Sequence, residues 1–135
     1  MQQGQFRASE HTDYGALTVL YSTAAGLQVK NTQGEWIDVE VPKGHFVINI
    51  GDLMSFWTNN RWVSTPHRVV TKDSAKPTKR FSLVFFHNPN YDAKVECIPT
   101  CETRENPAKF SHVLAGDFIM KKFKASIGEA ELSLV

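Results

Sequence analysis

The chain has 135 residues, 41% hydrophobic and 21% charged, with a formal net charge of +1 at pH 7. That length suits one domain burying roughly two-thirds of the surface its unfolded chain exposes, and the near-neutral, scattered charge gives no electrostatic basis for a nucleic-acid or anionic-membrane partner. No apolar run approaches the roughly 20 residues of a membrane span, and residues 1–5 carry no signal-peptide apolar region, so a cytoplasmic protein is expected.

In chain order, residues 17–21 are rich in branched and apolar side chains, and 27–29 alternate apolar with polar. Both read as strands. A turn over 31–34 leads into 36–41, again alternating, and 45–50 is a more continuous apolar run ended by Gly51-Asp52. Residues 53–57 and 61–63 flank Asn59-Asn60, a pair tolerant of positive φ, and are expected to form a tight hairpin with Phe56, Trp57 and Trp62 in its packing. Strands over 67–70, 80–86 and 94–98 complete the set, with a polar loop over 72–79. Many short strands at this spacing predict a mainly β domain, an antiparallel sandwich or barrel.

The character changes after Pro99. Pro107 followed by Ala108-Lys109-Phe110 reads as a helix opening, and Val113, Leu114, Phe118 and Ile119 follow Phe110 with three- and four-residue steps among them, with Gly116 weakening the pattern. A short or broken C-terminal helical segment covering one sheet face is expected, with Lys121, Lys122 and Lys124 on its solvated side. The division is a β core over 1–100 and a helical extension over 101–135. Cys97 and Cys101 are too few for a disulfide framework or a structural zinc site, and read as reduced thiols.

The candidate chemistry starts at His11-Thr12-Asp13. On a strand, positions i and i+2 share a face, so an imidazole and a carboxylate could converge on one cation, although such a tripeptide also arises by chance. His67 adds weight, because it opens an apolar strand where an imidazole has no evident structural purpose. Two histidines and a carboxylate on one face of an octahedron leave the other face open, as a non-haem Fe(II) that activates dioxygen requires. Zinc hydrolases with a similar ligand set commonly take both histidines from one helix, and no such helix is evident here. Arg80 and Ser82 share a strand face, and a guanidinium fork beside a hydroxyl suits a carboxylate. Continuing the alternation makes Val84 and Phe86 candidate apolar walls of the pocket. His45, His87 and His112 have ordinary structural readings, with His87 a candidate for the pocket mouth.

In this order, His11-x-Asp13, His67 and Arg80-x-Ser82 resemble the Fe(II)/2-oxoglutarate-dependent dioxygenases, in the branch that includes isopenicillin N synthase. The surrounding segments His11-Thr12-Asp13-Tyr14-Gly15, Gly26-Leu27-Gln28-Val29, Asn49-Ile50-Gly51-Asp52, Trp57-Thr58-Asn59 and Ser64-Thr65-Pro66-His67-Arg68-Val69 are similar to the same family. The likeness covers roughly residues 8–100.

The resemblance implies a double-stranded β-helix, or jelly roll. It implies Fe(II) on His11, Asp13 and His67, with 2-oxoglutarate as co-substrate, its far carboxylate on Arg80 and Ser82, and dioxygen; ascorbate is a candidate addition. No catalytic residue beyond the metal centre is implied. The implied reaction couples oxidative decarboxylation of 2-oxoglutarate to hydroxylation, desaturation or cyclisation of a small organic substrate. Two alternatives carry the same motif: an iron and dioxygen oxidase that does not use 2-oxoglutarate, and a truncated, non-catalytic metal-binding fragment. The family also carries a helical N-terminal half and a further jelly-roll strand, to which no residues here correspond. An open sheet edge is therefore expected, covered by a partner or second chain.

Overall fold

The structure, a computed structural model, describes residues 6–71 and 79–128. The predicted loop over 72–79 falls almost wholly outside them. Two antiparallel sheets form the body. The first has the order β1-β6-β3-β4 and joins β1 (Phe6–His11), β6 (His67–Val70), β3 (Leu27–Lys30) and β4 (Trp36–Asp38). The second has the order β5-β2-β7, from β5 (Val47–Ile50), β2 (Leu17–Ser22) and β7 (Ser82–His87). This mainly β, two-sheet arrangement matches the expected jelly roll.

Register decides what faces inward. In the second sheet Thr18 pairs with Asn49 and Phe86, and Leu20 with Val47 and Val84. Directly opposite residues of an antiparallel pair share a face, and these two rows line the space between the sheets. The alternate rows, Val19, Tyr21, Ile48, Leu83 and Phe85, share the opposite face. That outer face is markedly apolar and open to solvent, with Ile48 65%, Leu83 73% and Phe85 62% exposed.

β1, which the sequence pattern did not distinguish, pairs with β6 through an irregular register that ends with His11 opposite His67. The turn over 31–34 forms as expected: the Asn31 side-chain carbonyl accepts the backbone N–H groups of Gln33 and Glu35 at 3.0 and 2.8 Å, and Gly34 takes φ +84°.

Residues 53–57 are not a hairpin strand. They form α1 (Asp52–Trp57), opened at Gly51 with Asp52 in the first turn. Leu53, Phe56 and Trp57 recur at helical spacing and share one apolar cluster with Val95 and Ala115. Asn59 and Asn60 do take positive φ, 54° and 62°, but they terminate the helix instead of turning a hairpin.

The expected helix opening at Pro107 is also absent. Asn59 is fully buried. Its amide donates to the carbonyls of Asn106 and Pro107 at 3.2 and 3.0 Å, and its oxygen accepts the backbone N–H of Lys109 at 3.0 Å. Those bonds satisfy this backbone in an irregular path. The helix instead starts later, as α2 (Ala115–Ser126), after the two-stranded ladder of β8 (Lys94–Val95) and β9 (Val113–Leu114). Gly116 belongs in its first turn because the Tyr91 ring lies against it: a Cβ there would fall 2.1 Å from a ring carbon. α2 packs on α1 and β9 more than on either large sheet. Of its lysines, Lys122 pairs with Asp52 at 3.0 Å.

Candidate metal centre

Strand pairing, not the His11-x-Asp13 spacing, assembles the donors. His11 and His67 lie opposite one another across β1 and β6, with ring centroids 4.3 Å apart. Asp13 lies two residues beyond the end of β1, where the chain has left the sheet, so the expected strand alternation does not place its carboxylate. A backbone clamp from the start of α1 holds its loop instead. The backbone N–H of Gly51 donates to Ala16 O at 2.9 Å, that of Asp52 to Asp13 O at 2.7 Å and that of Leu53 to Gly15 O at 3.1 Å. Thr12 adds a hydroxyl bond to the Asp52 carboxylate at 3.2 Å.

The result is three donor atoms, one from each of His11, Asp13 and His67, all within 4.8 Å of one another. Asp13 Oδ1 lies 4.0 Å from His11 Nε2 and 3.6 Å from His67 Nε2. Each ring's Nδ1 faces a backbone carbonyl, Ser9 O at 2.7 Å for His11 and Thr65 O at 3.1 Å for His67. A carbonyl only accepts, so Nδ1 is the donor in each ring, which leaves Nε2 as the nitrogen that can face a cation. Two imidazoles and a buried carboxylate on one side of a largely apolar pocket fit a divalent transition metal such as Fe(II).

The cavity beside these atoms has a volume of about 270 Å³. Arg80, Ser82, Val84 and Phe86 line it together with His11, Asp13 and His67. The three expected metal ligands and the four residues expected to bind co-substrate or substrate therefore face one space. Arg80 lies just before β7; its Nη1 donates to Ser82 Oγ at 2.6 Å and its Nε to Ala24 O at 3.2 Å, so the guanidinium and hydroxyl are held as a unit. His87 is exposed at the end of β7 and does not line the cavity.

Sequence reasoning overlooked Thr18 and Asn49. Both line the cavity, and both bond Asp13 Oδ2, the Thr18 hydroxyl at 2.5 Å and the Asn49 amide at 2.7 Å. The available signal was a lone polar residue within the apolar run 47–50.

The model of the 2OG-Fe(II) oxygenase superfamily matches residues 2–89. The homoarginine-6-hydroxylase 2-ODD-233 of Oryza sativa subsp. japonica is 39% identical over 115 residues, which cover 83% of this chain and 34% of that protein. Validamycin A dioxygenase of Streptomyces hygroscopicus subsp. limoneus is 33% identical, over 89% of this chain and 33% of its own. The chain thus spans about a third of the length of the curated relatives it matches. Among solved structures, a full-length Neurospora crassa protein in complex with alpha-KG and thymine superposes with a TM-score of 0.82 at 36% identity, over 92% of this chain and 38% of that one. The matched sequence, the shared sheet architecture and the two-histidine, one-carboxylate cluster agree: this chain belongs to the 2OG-Fe(II) oxygenase superfamily.

Proposed function

We propose that the protein is a non-haem Fe(II) dioxygenase that couples oxidative decarboxylation of 2-oxoglutarate to oxidation of a small organic molecule. The observation that carries this reading is the convergence of the three donor atoms and the Arg80–Ser82 pair on one cavity. His11, Asp13 and His67 would hold the iron. Bound there, Fe(II) supplies the redox chemistry by which substrate, dioxygen and 2-oxoglutarate become oxidised substrate, succinate and carbon dioxide.

The chain's own residues bind and orient. Arg80 and Ser82 receive the far carboxylate of 2-oxoglutarate through charge-assisted hydrogen bonds. Val84 and Phe86 offer an apolar wall to the substrate. The proposed β core over 1–100 carries every one of these residues, and the proposed extension beyond it contributes α2 among the described residues. A small substrate is supported by relatives named for homoarginine and validamycin A and by the thymine complex. A cytoplasmic location is supported by the two free thiols, Cys97 and Cys101; among the described residues, no helix is long and apolar enough to cross a membrane.

β7 ends its sheet with all six residues exposed. An open apolar edge of this kind calls for a cover, and we assign that cover to further polypeptide, from a longer chain or a second one.

Anaerobic titration of the Fe(II)-loaded protein with 2-oxoglutarate tests the reading. A metal-to-ligand charge-transfer band is expected, and both the band and the succinate formed once dioxygen is admitted disappear in His67→Ala. Iron binding without the band would favour an oxidase that does not use 2-oxoglutarate. A band without turnover would mark a non-catalytic metal-binding fragment.

A further inference from the structure

Asp13 has two carboxylate oxygens, and the structure treats them differently. Oδ1 faces the two imidazoles, 4.0 and 3.6 Å from their Nε2 atoms. Oδ2 accepts two short hydrogen bonds, from Thr18 Oγ1 at 2.5 Å and Asn49 Nδ2 at 2.7 Å. Thr18 and Asn49 are themselves register partners across β2 and β5, so the two donors are fixed side by side by the sheet. The Asp13 side chain is only 7% exposed, which leaves little water to compete for either oxygen.

We propose that Thr18 and Asn49 are positioning residues that restrict Asp13 to one-oxygen ligation of the metal, and so keep a coordination position open for the co-substrate or dioxygen. This inference rests on the metal reading above and deepens it. The physical argument is one of competing acceptor sites. A carboxylate oxygen engaged by both a hydroxyl and an amide has most of its lone-pair density committed, and turning it onto a cation would strand two donors in a largely buried place. With those donors removed, the same oxygen is free to join the first, and a two-oxygen carboxylate takes up a position that water or another ligand would otherwise fill.

The division of labour follows the two sheets. The first sheet presents both imidazoles from β1 and β6, and the second sheet orients the carboxylate through β2 and β5. Asp13, in the connection between β1 and β2, is the one ligand oriented by side chains of the opposite sheet.

The test compares Mn(II) binding by the unaltered chain with Asn49→Leu and Thr18→Val, which keep side-chain size and remove one donor each. Thr18→Ser, which keeps the hydroxyl, serves as the conservative control. Mn(II) is read by electron paramagnetic resonance for affinity and by water-proton relaxation for the number of bound waters. The inference predicts one bound water fewer in Asn49→Leu and Thr18→Val, a Mn(II) affinity changed by about ten- to a hundredfold, and unaltered behaviour in Thr18→Ser. A merely structural role would not change the water count of a folded, metal-loaded variant. An unchanged water count in folded Asn49→Leu and Thr18→Val overturns the inference alone. Failure of the folded, unaltered chain to bind Mn(II) overturns the metal reading and the inference with it. Should Asn49→Leu fail to fold, the Thr18→Val and Thr18→Ser pair decides.

Discussion

Gly51→Ala puts the smallest side chain where the structure has room for none. The backbone there has φ −100° and ψ 172°, which alanine adopts without strain, so any effect is steric. The new Cβ would lie 2.2 Å from Gly15 O and 3.1 Å from Asp13 O, both rigid backbone atoms. Restoring a tolerable separation of about 3 Å requires the two segments to part by about 0.8 Å. The segments that part are those joined by the bonds from Gly51 to Ala16, Asp52 to Asp13 and Leu53 to Gly15. Overpacking of this kind costs about 1–3 kcal/mol, and weakening the adjoining bonds adds about 1 kcal/mol. A loss of about 2–4 kcal/mol is expected, read as a lower urea midpoint for the metal-free chain with little change in slope. Because the displaced loop carries Asp13, Fe(II) affinity is expected to fall about tenfold or more. An Ala variant with unaltered midpoint and affinity would refute the claim that this contact positions the ligand loop.

Leu53→Ala removes a fully buried side chain from the cluster with Val95 and Ala115; a loss of about 2–5 kcal/mol is expected in denaturant unfolding. Arg80→Ala should raise the 2-oxoglutarate concentration needed for the charge-transfer band by about ten- to a hundredfold, the worth of its charge-assisted bonds, while Fe(II) titration is unchanged. Burial pushes the Cys97 thiol up from its ordinary value, with Glu102 and Cys101 adding to the effect. Its reactive thiolate is therefore scarce at pH 8, and iodoacetamide labelling, followed by mass spectrometry, should still be accelerating with pH above the usual thiol range.

The features legible in the sequence were those that depend on strict alternation or on residue type in a fixed order. Ser82, Val84 and Phe86 face the cavity because β7 is a regular strand. His11, Asp13 and His67 were identifiable by type and order, although the expected reason for their meeting was incorrect for Asp13. α1 was hidden because a five-residue segment with four apolar residues fits either period when read alone; the burial of Leu53 beside Val95 and Ala115, more than forty residues away, selects the helix. The path over 102–112 was hidden for a similar reason. Its backbone partner is the side chain of Asn59, about fifty residues earlier. Thr18 and Asn49 escaped notice because their partner becomes visible only with the sheet register in hand.

The three donor residues and the clamp on Asp13 are all made by position 67, yet what supports that clamp comes later. The clamp on the Asp13 loop is carried by α1, and α1 rests on Val95, on Ala115 and on the Lys122–Asp52 ion pair. During synthesis, which runs from the N-terminus, His11, Asp13 and His67 are made before α2 exists. Metal capture should therefore trail translation of the ligands, and nascent chains halted before Ala115 should take up iron poorly despite carrying every donor. The long sequence separation of these contacts also favours slow folding over rapid local assembly.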